Sequence, residues 1–87
     1  MDIVKEYTEF AKQYAEVYYG VTDSHITNII ASVLMTRDGV GIKGGSFVQS
    51  VVDNDLFQAI SRADSKCYQH LKVIAAANKF AYLQQKM

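Results

Sequence analysis

Four of the five glycines of this 87-residue chain fall between positions 39 and 45, in the run Gly39-Val40-Gly41-Ile42-Lys43-Gly44-Gly45-Ser46-Phe47. No proline occurs anywhere. Glycine weakens regular structure and frees the backbone to turn, so the chain must divide here. On both sides of the loop, apolar residues recur every three or four positions, which predicts helices. The expected fold is all-α: a small bundle of four to five helices, oligomeric, in one α-helical domain spanning residues 1–87.

The first helix is expected over residues 2–19. Ile3, Tyr7, Phe10, Tyr14 and Val17/Tyr18 share one face, widened by Val4, Ala11 and Ala15, and Gly20 ends it. Asp23 is the expected N-cap of a second helix running to Arg37, with Ile26, Ile29, Ile30, Val33 and Leu34 on its apolar face. Its β-branched residues also suit a strand, but their period is helical. After the glycine loop, Ser46 and Gln49 have the spacing of a capping box. Asn54 is a candidate left-handed terminator, Asp55 opens a fourth helix, and Asp64 opens a last one over residues 65–85. The face expected of that last helix holds Cys67, Leu71, Ile74, Ala75, Asn78, Ala81 and Tyr82.

A chain this short buries only about 60–65% of its unfolded surface, so small domains lean on disulfides, metals or oligomerisation. The single cysteine, Cys67, excludes an internal disulfide. Cys67-x-x-His70 puts two candidate ligands on one helix face, but zinc needs three or four and no partners stand at a suitable spacing. No metal and no cofactor are therefore expected. Oligomerisation remains, and 49% hydrophobic residues fit it.

Nine basic and nine acidic side chains cancel. That balance argues against general nucleic-acid binding, which depends on Lys and Arg contacts to phosphates. No run of about 20 apolar residues predicts a membrane span. The acidic N-terminus does not look like a secretory signal, and a free thiol suits a reducing cytoplasm. No nucleophile–base pair or carboxylate pair appears; Asp53, Asp55 and Asp64 read as caps. No catalytic residues are expected.

The glycine loop carries the binding chemistry. Its backbone amides lie ahead of a helix, where an anion is favoured, and Lys43 adds a cation. Gly39-x-Gly41-x-x-Gly44 matches the bare dinucleotide fingerprint but follows a helix, not a strand, and no Lys-Ser/Thr pair completes a Walker loop. Loop glycines also serve plain turns, so a simple connector competes with a binding loop. Arg37 and Arg62, the only arginines, are candidates for bidentate phosphate contacts. Phe47 is the aromatic best placed to flank a ligand. The tyrosines Tyr7, Tyr14 and Tyr18 suit a core or a subunit interface.

The stretch from Gly41 to Ser65 resembles a recurring module of small tailed-phage proteins. The residues that carry it are Gly44-Gly45-Ser46-Phe47-Val48, Val51-Val52-x-Asn54-Asp55-Leu56, Ala59, and Arg62-Ala63-Asp64-Ser65. About 25 positions take part, and the flanking helices are not diagnostic. The chain is similar to phage immune-evasion sponges, oligomers that bind the cyclic nucleotide signals of bacterial defence systems such as CBASS. The resemblance implies a cyclic nucleotide ligand at Lys43, Gly44, Gly45, Ser46 and Phe47, with Arg62 nearby. It implies a homo-oligomer, a dimer or tetramer, in the cytoplasm of the infected host. Asn54, Asp55 and Asp64 would be structural. Two other classes remain: a small protein–protein inhibitor of a host defence factor, contacting it through the first helix, and a virion accessory.

Overall fold

The computed structural model describes residues 3–41 and 43–86, with side chains as far as Lys79. Its regular structure is entirely helical: α1 (Ile3–Tyr19), α2 (Ser24–Asp38), α3 (Ser46–Val52), α4 (Leu56–Arg62), α5 (Ser65–Gln69) and α6 (Leu71–Lys86). Six helices replace the expected four to five because the last one breaks at His70.

The turns follow local chemistry. Asp23, Asp55 and Asp64 each accept a backbone N–H from the helix they open, from His25, Gln58 and Cys67 respectively. Gly39 takes a left-handed conformation after α2, and the N–H of Val40 returns to the Met35 carbonyl at 3.0 Å. Asn54 does the same after α3 with φ 62°, and the N–H of Asp55 returns to the Ser50 carbonyl. Both are helix ends in which a left-handed residue satisfies orphan carbonyls.

The Ser46 capping box does not form. Gly45 is the N-cap of α3 and Ser46 is its first helical residue. Gln49 Nε2 instead donates to Asp53 Oδ1 at 3.0 Å, one turn along the helix.

Helix α2 occupies the centre and packs against α1, α3 and α6. Ile26, Ile30, Val33 and Leu34 are fully buried, together with Ile74 of α6. A helix covered on several sides needs apolar residues around more than one face, and buried Ala31 and Met35 supply them, beside Thr27, whose hydroxyl is satisfied by the Ser24 carbonyl. The β-branched run is helical.

Helix α1 buries less than its pattern implies. Ala11, Tyr14 and Ala15 form the contact line, while Ile3, Val4, Phe10, Val17 and Tyr18 stay exposed. Alanines let α1 approach α2 closely, which lifts the larger residues beside them away from the core. Tyr14 crosses to α6, its hydroxyl donating to the Val73 carbonyl at 3.3 Å.

The break at His70 rotates the last apolar face. Beyond Cys67, the buried residues are Val73, Ile74 and Ala77; Ala75 is exposed, and Leu71 and Asn78 are half-buried. A single non-helical residue changes the phase of a 3.6-residue repeat, so a stripe read straight through it finds Cys67 and Ile74 but includes exposed Ala75 and omits buried Val73 and Ala77. Ala81 and Tyr82 lie outside the described side chains.

The C-terminal turn of α2 is held by polar contacts. Arg37 pairs with Asp38 through Nε and Nη2, both at 2.7 Å, and its Nη1 donates to the Asn78 carbonyl at 2.9 Å. The Tyr7 hydroxyl donates to the other Asp38 oxygen at 2.6 Å. Burial, then the hydrogen bond to Asp38, pushes the Tyr7 phenol up to about 12. The folded state therefore keeps this proton after the unfolded chain has lost its own. Its contribution is complete below about pH 10 and disappears as pH rises through about 12. Thermal unfolding from pH 9 upward is expected to show a steeper loss for wild type than for Tyr7→Phe.

Candidate functional site

The glycine loop folds back over the end of α2. Gly41 is left-handed, with φ 68°. Gly44 donates its N–H to Thr36 Oγ1 at 2.9 Å, which pins the loop to α2. A Cβ on Gly44 would stand 2.5 Å from Val48 Cγ1 and 2.8 Å from Ser32 Oγ, so this glycine is required by packing. A Cβ on Gly45 would meet nothing within 4 Å. Gly45 thus faces open space, and Gly44 is part of the scaffold.

Between this loop, α2 and α3 lies a solvent-open hollow of about 360 Å³, lined by Met35, Thr36, Val40, Lys43, Gln49 and loop glycines. Lys43 is exposed. Gln49 Oε1 is buried and has no hydrogen-bond partner. A buried acceptor left unpaired is costly, and an incoming donor would relieve it. The sequence marks Gln49 only as a capping residue, because its place beside the hollow depends on the loop lying over α2.

The other candidates separate. Arg62 sits beside the start of α3, its Nη1 donating to Ser50 Oγ at 2.9 Å and to the Ser46 carbonyl at 3.3 Å. Arg62 and Ser46 are therefore brought together. Phe47 is half-buried and packs on the core, so its ring is shared with the scaffold. Arg37 points away from this group, its donors taken up by Asp38 and the Asn78 carbonyl. The sequence marked Arg37 as a cation close to the loop, but the helix carries its side chain to α6.

Two further features stand out. Leu56, Phe57 and Ile60 of α4 are exposed, Phe57 by 87%. With Val17 and Tyr18 of α1 they leave more large apolar surface in solvent than a core requires. The second is a cluster of His25, Asp64 and Cys67, whose donor atoms all lie within 4.8 Å of one another. Residues 39 and 42 positions apart meet because α5 starts beside the first turn of α2. Spacing along the chain gave no sign of this meeting. It paired Cys67 with His70, whose ring Nδ1 instead lies 2.9 Å from the Lys66 carbonyl.

Among the described residues no helix is long and apolar enough to cross a membrane. No protein-family model, curated protein or solved structure matches the chain.

Proposed function

We propose that this protein is a non-catalytic, homo-oligomeric binding protein that holds a cyclic nucleotide at the glycine loop. By sequestering that second messenger in the cytoplasm of the infected bacterium, it would blunt a CBASS-type defence on behalf of a phage. The observation that carries the reading is the hollow beside the loop, which Lys43 and Gln49 both line, Gln49 with a side-chain oxygen that has no hydrogen-bond partner. A phosphate suits the first and an N–H on a base edge suits the second. Gly45 and Ser46 follow the loop into α3, where Arg62 donates to the Ser46 carbonyl, and the exposed apolar residues of α1 and α4 suit contact between subunits.

Thermal unfolding against a panel of cyclic di- and trinucleotides tests this. A ligand at 100 times its Kd adds roughly 2.7 kcal/mol to the folded state. Lys43→Glu and Gly45→Val are expected to abolish the shift while the free protein still folds, since both positions face solvent. A shift that survives both changes would remove the loop from the site.

The second reading is a small inhibitor that binds a host defence protein, and Phe57 favours it, since it stands almost free of the fold. If no nucleotide shifts the melting temperature, recovery of one stoichiometric host protein from lysate, lost on Phe57→Ser or Tyr18→Ser, would support this inhibitor.

A further inference from the structure

We propose that His25, Asp64 and Cys67 form a zinc-type divalent metal site with three protein ligands and an open fourth position. His25 Nε2 lies 3.3 Å from Asp64 Oδ2 and 4.0 Å from Cys67 Sγ. Tetrahedral zinc, with bonds of about 2.0–2.1 Å to nitrogen and oxygen and about 2.3 Å to sulfur, separates neighbouring ligand atoms by about 3.3–3.7 Å. The His–Asp separation already fits, the His–Cys separation is a few tenths of an ångström long, and the set as a whole, spanning up to 4.8 Å, must contract by about an ångström, which one rotamer adjustment of the exposed His25 or Asp64 side chain can supply.

The direction of the ring decides between a metal site and a catalytic triad. A Cys–His–Asp triad uses the two imidazole nitrogens separately, one toward the nucleophile and one toward the carboxylate. Here the same nitrogen, Nε2, faces both Cys67 and Asp64. Three donors of three kinds thus gather within 4.8 Å of one another, as an ion's ligands would. Thiolate and imidazole together select a borderline-soft cation such as zinc over calcium or magnesium. A thiolate and a carboxylate also balance the two positive charges of the ion.

The surroundings hold the ligands in place. Asp64 Oδ1 accepts the N–H of Cys67 at 2.8 Å, which leaves Oδ2 turned toward His25. Asp23 accepts the N–H of His25 through Oδ1 at 2.8 Å and binds Lys66 Nζ through Oδ2 at 2.9 Å. The ammonium of Lys66, the residue before Cys67, is thus already paired. Cys67 is buried while His25 and Asp64 are exposed, so the fourth position opens to solvent, where water or a ligand from another molecule can complete the shell. An ion here would tie the first turn of α2 to the α4–α5 joint.

Titration of the reduced protein with Co²⁺, then competition with Zn²⁺, tests the site. One Co²⁺ per chain should bind, with a thiolate-to-metal charge-transfer band and the visible bands of a tetrahedral ion. Changing the partners around a metal's ligands costs 10–100-fold in affinity, so His25→Ala and Cys67→Ser should each cost at least about tenfold. Asp64→Asn keeps the helix cap and should still weaken binding. His70→Ala should bind as wild type does. Circular dichroism of His25→Ala, an exposed position, separates lost binding from lost fold. The absence of a charge-transfer band, or undiminished binding by His25→Ala, would overturn the site. Loss on His70→Ala equal to that on His25→Ala would overturn it in favour of the sequential Cys67–His70 pair.

Discussion

Arg37→Ala is expected to lower the unfolding free energy by about 3–5 kcal/mol, the usual result of removing one partner of a buried ion pair. The side chains of Arg37 and Asp38 are only 11% and 14% exposed. Without the guanidinium, the largely buried Asp38 carboxylate keeps the Tyr7 hydroxyl but loses its cation at the negative end of α2. The Asn78 carbonyl loses its donor in the same change. A chain of this length has a total stability of about 4–13 kcal/mol, so the change removes between about a quarter and all of it. Lysine offers one point charge in place of a planar fork, and Arg37→Lys should recover only part of the loss. Urea unfolding with an unchanged slope reads the difference directly. A loss below about 1 kcal/mol would place the pair among ordinary surface salt bridges.

Gly44→Val is expected to cost about 3 kcal/mol, at the upper end of the range for overpacking a well-filled site. Even a bare Cβ would press on Val48, which is buried on α3, and on Ser32 of α2. Relief requires the loop to lift from α2, which stretches the Gly44-to-Thr36 hydrogen bond. Gly45→Val, one residue on, meets no such obstacle and should lose about 1 kcal/mol or less, the value of a glycine N-cap. Thermal melts of the two variants side by side give the contrast. Equal losses would mean that the loop does not lie against α2 as described.

The contrast also bears on the proposed ligand site. Gly44 and Gly45 looked equivalent in the sequence, as adjacent glycines ahead of a helix. Packing separates them, so only Gly45 can be changed to probe binding without disturbing the fold. Tyr14 carries the same lesson. Its place in the α1 stripe suited a partner surface, but it is 4% exposed and bonded to α6. Tyr18, on the same stripe, is the exposed one.

What the sequence determined by itself is local. The caps Asp23, Asp55 and Asp64, the terminators Gly20, Gly39 and Asn54, and the apolar face of α2 all act within about one helical turn of the residue concerned. Interactions at that range are written into the order of residues. The tertiary structure decided everything that depends on helices meeting. The close approach of Ala11 and Ala15 to α2 set which side of α1 is buried, and the break at His70 set the phase of α6. Packing sent Arg37 to α6, left Arg62 beside Ser46, and brought His25 to Asp64 and Cys67. Helical periodicity fixes the relative directions of side chains on one helix, but only the docking of whole helices fixes which distant side chains face each other.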